Sequence, residues 1–288
     1  MLSEISFIHL AAGGAVVLLL LLIEFNFPLR TRNYSFAIRL ISNGFLSLLV
    51  LITVYLLVMP VQQGTLNFTE SSKFGLLYLI DLPPLAEGII GFLLMDLAFY
   101  YWHLLNHKIL FLWRFHNVHH MDPDMDMTSA FRFHFGEIAF SSLFRIAQIS
   151  LIGISPLVFI VYELFFTANT IFQHSNIKLP LKFERKLNRI IVTPRMHGIH
   201  HSQFRNETDS NYSTVFSWWD VIHKTIKLNV PQNEIAIGVP AYSNREDNKL
   251  LKLIMHPFKK QKDYWEKDER RFVKREKEST ENRLHLME

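Results

Sequence analysis

The chain has 288 residues, of which 49% are apolar, 14% aromatic and 19% charged, against about 25% charged in ordinary soluble domains. This composition excludes a disordered chain and points away from a soluble domain. With no cysteine, disulfides, thiolate-bound zinc, iron–sulfur clusters and thiol catalysis are excluded as well. The net charge of +4 is uneven, with a dense mixed-charge run over 259–278, and nothing in it reads as a nucleic-acid-binding surface.

In chain order, residues 5–23 form a near-continuous apolar run. As a helix it would rise about 28 Å, close to the hydrocarbon thickness of a bilayer. Glu4 precedes the run, and neither a basic leader nor a small-residue cleavage site accompanies it, so a retained span is expected rather than a signal peptide. A second span is expected over 36–59 and a third over 85–102. Residues 137–173 are apolar again but broken at Gly153 and Pro156, which predicts two helical arms joined by a tight turn. Arg30 and Arg32, with Arg39 just inside the second span, mark the loop between the first two spans, whereas Glu70, Lys73 and Asp81 mark the next. The positive-inside rule then puts the first loop in the cytosol, with residue 1 outside. The expected fold is an all-α integral membrane protein of four to five membrane helices or hairpin arms under a mostly helical cytosolic cap.

That topology gathers the histidines. Of 14, eight fall in three clusters: His103 and His107; His116, His119 and His120; His197, His200 and His201. Residues three and four apart share a helix face, so each cluster should aim its imidazoles in one direction. Imidazole is the shared ligand of iron, zinc, copper and nickel sites, and eight exceed the need of one ion, so a two-metal centre is expected. His134 and His174 flank the hairpin and are candidate ninth and tenth ligands. His9, His223, His256 and His285 stand alone and read as surface or hydrogen-bonded residues. Asp96, an acid inside an apolar span, and Glu137, just after His134, are candidates for orienting ring nitrogens. Tyr100 lies with Asp96 on the histidine face of the third span. Asp122, Asp124 and Asp126 read as a solvated turn around Pro123, and the aromatic segment 99–115 as a substrate path or an interfacial belt.

The pieces D-L-A-F-Y-Y-W-H-L-L-N-H (96–107), W-R-F-H-N-V-H-H (113–120), F-R-F-H-F-G-E (131–137), Q-H-S-N (173–176), T-P-R-M-H-G-I-H-H-S (193–202), D-S-N-Y (209–212) and W-W-D (218–220) resemble, in order and spacing, the fatty acid hydroxylase/sterol desaturase superfamily of membrane oxygenases. The departures are Phe135 where such proteins often carry proline, Ser213 where they carry glycine, and W-D-V-I-H-K-T (219–225) in place of W-D-x-x-F-G-T. The resemblance implies two iron ions held by the histidines, O2 as co-substrate, a separate electron-transfer protein or reductase, and a fatty acyl, sterol or alkylglycerol-type lipid hydroxylated or desaturated at a C–H bond. Asp96, Tyr100 and Glu137 are the candidate catalytic residues beside the histidines. The chain would then divide into N-terminal transmembrane helices and an outer loop (1–80), a catalytic unit with its membrane hairpin (81–225), and a charged cytosolic tail (226–288). It would lie in a bacterial inner membrane or the endoplasmic reticulum with the site on the cytosolic side. A histidine-rich protein that binds or transports metal without turnover is the alternative reading.

Overall fold

A computed structural model describes residues 18–265. Most of the expected first span therefore lies outside the described residues, as does the charged run beyond 265; residues 18–26 (α1) are helical. The long helices that follow are α2 (Phe36–Thr53), α3 (Met59–Ser72), α4 (Pro84–Lys108), α6 (Phe135–Ile152) and α7 (Pro156–His174), with α5 (Leu110–His120) between α4 and α6. Among the described residues there is no β-strand, only isolated bridges such as Pro28 with Ile177 and Ser202 with Ile237. Among the described residues four helical stretches are long and apolar enough to cross a membrane, and their outer faces carry exposed leucines, isoleucines and phenylalanines. The chain is thus an all-helical integral membrane protein.

The second span runs further than its hydropathy. The apolar pattern fades at Met59, yet the helix continues to Ser72 through a π-helical turn, Val54–Val58. Pro60 explains the turn. A proline inside an α-helix lacks one donor and crowds the carbonyl a turn earlier, and the wider π turn just before it relieves both. The hairpin arms join as expected at Gly153, which takes a left-handed φ of 72°. Gly75, at φ 123°, packs its backbone directly on Gly153, so the loop after α3 seats on the hairpin tip.

Two cores lie at opposite ends. At the hairpin tip, Leu66, Leu77, Met95, Ile149, Ile152 and Tyr162 pack together. At the other end, Leu46, Trp113, Val118, Met121, Val239 and Leu253 hold the cap on α2 and α5. The cap includes the short helices α8 (Leu181–Leu187), α9 (Pro194–His200), α10 (Arg205–Thr208), α11 (Trp218–Ile222) and α12 (Leu250–Met255). Segment 226–265, expected to be part of a tail, closes over the site: His256 Nε2 meets Asn117 Nδ2 at 2.8 Å, and Ser202 bridges to Ile237.

The aspartate loop is not a solvated turn. Asp122, Asp124 and Asp126 are all buried. The Arg39 guanidinium donates to both Asp122 oxygens at 2.8 and 2.9 Å and also pairs with Asp126. Burial alone would raise the Asp122 pKa, but Arg39 and Arg132 outweigh it and hold the carboxyl at about 2. Asp124 accepts from the backbone N–H groups of Asn33 and Tyr34, at 3.0 and 2.7 Å. The N-terminal loop and α2 are therefore clamped onto the cap, across the sequence boundary expected at 80/81. Replacing Arg39 by methionine removes the guanidinium that pairs with both buried carboxylates and leaves Arg132 as the remaining cation acting on Asp122. The expected loss is about 3–5 kcal/mol, read as a lower thermal midpoint in detergent; a loss below about 1 kcal/mol would show the pair to be dispensable.

Candidate metal centre

Nine histidines converge where the helices meet the cap. His103, His107, His116, His120 and His200 form one group, and His119, His174, His197 and His201 a second. Within each group one nitrogen per ring lies within 4.8 Å of all the others. The clusters do not each point one way. In each H-x-x-H-H box the first and last histidines, four apart, serve one group, and the middle one serves the other. His116 and His120 thus join the first group and His119 the second; His197 and His201 join the second and His200 the first. α5 and α9 each lie along the seam between the groups. Across it, His120 stacks on His201 at 4.3 Å and His197 on His200 at 5.1 Å.

The ring protons can be assigned from their partners. His103 Nδ1 lies 2.8 Å from the Tyr212 carbonyl and His200 Nδ1 2.6 Å from the Ser210 carbonyl. In the second group, His119 Nδ1 faces the Arg132 carbonyl at 3.3 Å and His174 Nδ1 the Thr170 carbonyl at 2.7 Å. A carbonyl only accepts, so each Nδ1 carries the proton and each Nε2 of a neutral ring is a bare lone pair. Burial and the neighbouring rings push His119, His120, His197 and His201 well below the usual imidazole range, and burial puts His200 at about 3. Those five rings are neutral at physiological pH.

The bare nitrogens face each other. His103 Nε2 and His200 Nε2 are 3.0 Å apart, and His119 Nε2 and His174 Nε2 3.1 Å. No proton is available to bridge either pair, so the lone pairs repel unless a cation binds both. Two imidazole nitrogens that would each bind one ion at about 2.1 Å must lie within about 4.2 Å of each other. Close Nε2 pairs recur in both groups, with His116 and His120 at 3.2 Å in the first and His174 and His197 at 3.0 Å in the second, so the donor chemistry fits two metal ions held by nitrogen.

Several other groups fix the rings. Glu137 Oε1 accepts from His116 Nδ1 at 2.8 Å, the carboxylate–histidine arrangement that orients metal-binding imidazoles. Asp220 accepts from the backbone N–H of Tyr212 and Ser213, both at 2.9 Å, and from the Thr225 hydroxyl at 2.6 Å. That clamp shapes the loop carrying the Ser210 and Tyr212 carbonyls. Asn211 bends the same loop with a left-handed φ of 56°, and its amide donates to the Met196 carbonyl. Thr225 thus has a part in the site although the motif around it departs from the family pattern.

The remaining expected residues go elsewhere. Asp96 touches no histidine ring. Its carboxylate accepts from the N–H groups of Val215 and Phe216 and from Trp219 Nε1 at 2.8 Å, so it anchors the segment after the Tyr212 loop. The Tyr100 hydroxyl lies 3.0 Å from Thr225 Oγ1 and its ring stacks on His223, away from both groups. His134 is not brought to the centre. It caps α6 by accepting from the Gly136 N–H at 2.9 Å, and its Nε2 donates to the Ile254 carbonyl at 3.0 Å, so neither nitrogen is free. Of the aromatic segment 99–115, Phe99 and Trp102 line the cavity described next, whereas Trp113 packs on His107 and His120.

A cavity of about 310 Å³ opens from the centre into the membrane helices, at the lower end of the range for small-molecule sites. His103, His116, His119, His174 and His197 line one end. Its wall along α2 and α3 is formed by Val50, Val54, Val58 and Gln62, which at 1.5 Å per residue span about 18 Å. The π turn lies on this wall.

Residues 88–225 match the family model described as fatty acid hydroxylase. The mouse cholesterol 25-hydroxylase is 26% identical over 171 residues, 56% of this chain and 54% of that protein. The ornithine lipid hydroxylase OlsE of Rhizobium tropici is 27% identical over 157 residues, 54% of this chain and 46% of that protein. The alkylglycerol monooxygenase of Xenopus tropicalis is 30% identical over 145 residues, 50% of this chain and 31% of that protein. The chain thus spans about half the length of the first of these relatives and less of the others. No solved structure matches it significantly.

The two flanking histidines give the sharpest check on these placements. His174→Ala should lower the metal bound by the purified protein, whereas His134→Ala should leave it unchanged, read by elemental analysis per chain. Equal losses in the two variants would overturn the placement of His134. Glu137→Gln should weaken metal retention by about 10–100-fold in competition with a chelator.

Proposed function

The chain belongs to the fatty acid hydroxylase/sterol desaturase superfamily, and on that premise we propose that it is a membrane di-iron oxidoreductase that uses O2 to hydroxylate or desaturate a C–H bond of a lipid. The observation that carries the proposal is the pair of bare, facing imidazole nitrogens in each histidine group, at the end of a cavity that runs into the membrane helices. The relatives are by name hydroxylases or monooxygenases of a sterol, an ornithine lipid and alkylglycerols, which supports a lipid substrate.

In this reading the first ion is held by His103, His107, His116, His120 and His200, and the second by His119, His174, His197 and His201. Bound there, two iron ions supply the redox chemistry for reducing O2 and removing hydrogen from an unactivated carbon, which zinc cannot supply. Hydroxylation consumes the lipid, O2, two electrons and two protons, and releases the alcohol and one water. Desaturation consumes the same and releases the alkene and two waters. The electrons come from a separate carrier or reductase.

The chain's own residues set the conditions. The Ser210, Tyr212, Arg132 and Thr170 carbonyls hold four rings in the tautomer that presents Nε2. Glu137 orients His116 with one oxygen, while its other oxygen is buried with no protein partner and the residue lines the cavity. Glu137 is therefore positioned to hold or pass a proton beside the reacting carbon. The apolar wall excludes bulk water and admits a lipid from the side. Arg30, Arg32 and Arg39 lie at the histidine end, which the positive-inside rule assigns to the cytosol, in either a bacterial inner membrane or the endoplasmic reticulum.

The test is comparative lipid analysis of a deletion strain and its complement under 18O2. Label in a lipid alcohol identifies a hydroxylase; a double bond that depends on the protein, without label in the lipid, identifies a desaturase. A complement carrying His200→Ala should lose the product. If iron-loaded protein with an electron donor alters no lipid, the proposal fails and metal binding without turnover replaces it.

A further inference from the structure

Arg145 is a charge inside the first hairpin arm, where a charge is costly and usually functional. It is 5% exposed. Its guanidinium donates to Gln148 Oε1 at 2.9 Å and lies 2.8 Å from a carboxylate oxygen of Glu163 on the second arm. The rings of Phe99, Tyr162 and Phe166 surround it at 5.2 to 5.7 Å. Arg145, Glu163 and Gln62 line the same cavity as the histidines. They form its far end: Leu66, one turn beyond Gln62, packs with Ile149 and Ile152 near the hairpin tip. Arg145 is eight residues along α6 from Glu137, and Glu163 is eleven residues before His174 on α7. At 1.5 Å per residue these separations are about 12 and 16 Å.

We propose that the Arg145–Glu163 pair recognises the polar end of the substrate, and that the lipid oxidised is an uncharged amphiphile with a hydroxyl-class head about 12–16 Å from the carbon attacked. This rests on the reading of the chain as a lipid oxidase. Fastening α6 to α7 does not require the pair. The Gly153 turn and the contacts of Ile149, Ile152, Phe159 and Tyr162 already do so, and an apolar pair of similar volume serves that purpose as well as or better than buried charges. What the pair adds is a charged, polar surface at the far end of a largely apolar cavity. The Glu163 side chain is 32% exposed whereas Arg145 is enclosed, so the carboxylate is the more accessible partner. A hydroxyl can donate to it. An anionic head would meet a like charge there and finds no free cation, because Arg145 is already paired. Between the two ends the walls are Val50, Val54, Val58 and Ile138 with the hydroxyls of Ser141, Thr167 and Thr170; Ser141 and Thr170 donate to their own helices, at 2.8 and 2.7 Å, and no charged side chain faces a head placed midway.

The test uses the full chain in lipid nanodiscs and three probes that differ only at one end: 1-hexadecanol, hexadecyl methyl ether and hexadecanoate. Binding is measured without turnover. The alcohol is expected to bind at least tenfold more tightly than the ether or the carboxylate. Arg145→Met combined with Glu163→Leu removes both charges and so leaves neither buried alone. It should abolish the preference while holding ether binding within twofold. The proposal is overturned if the wild type shows no preference, if the preference survives in the double variant, or if that variant loses all three probes equally, which would mark the pair as purely structural. Oxidation of bound probe under 18O2 is scored separately. Selective binding without any product would sink the oxidase reading and leave the recognition site standing.

Discussion

The constraint on which the structure turns is where the imidazole protons are. Once His103, His200, His119 and His174 commit Nδ1–H to backbone carbonyls, their other nitrogens have only lone pairs to present. Those nitrogens come from helices far apart in sequence and are pressed together on buried side chains. Such an arrangement is repulsive for the protein alone. Folding energy from two modest cores and a set of buried ion pairs has to hold it, and cation binding relieves it.

Much of this was legible in the residues. Histidines three and four apart at the ends of apolar runs announce a nitrogen-rich site, because helix geometry is local and imidazole chemistry is specific. The division of each box between two groups was not, since it depends on how α5 and α9 are rotated against their neighbours. His134 and His174 look equivalent along the chain. They part because His134 turns back to cap α6 and meets Ile254, which belongs to a segment whose place on the cap no periodicity reveals. Asp96 reads as a ligand-orienting acid by its cost in a membrane, and it does satisfy that cost, but with backbone N–H groups around residue 216. The carbonyls of Ser210 and Tyr212 leave no signal at all, because every residue has one. Arg145 did leave one: a lone cation in an apolar arm is as conspicuous as Asp96.

The family-matched region and the site coincide only in part. Residues 88–225 supply every histidine of the two groups. Yet Arg132, whose carbonyl receives His119 Nδ1, is itself held by Asn43 on α2 and Asn248 in the cap. The cavity wall is completed by α2 and α3, which the family model does not reach. Residues outside the conserved pattern thus set the length and lining of the space into which a substrate would fit.

The clamp of Arg39 on Asp122 and Asp126, together with Asn33 and Tyr34 on Asp124, carries one more consequence. A fragment trimmed to the stretch that defines the homology would keep all nine imidazoles but strand three acids in its interior. The stretch matched by the family model is smaller than the set of residues that pack together around the site. In this protein the difference is made up by an N-terminal strap that contributes no histidine to either group.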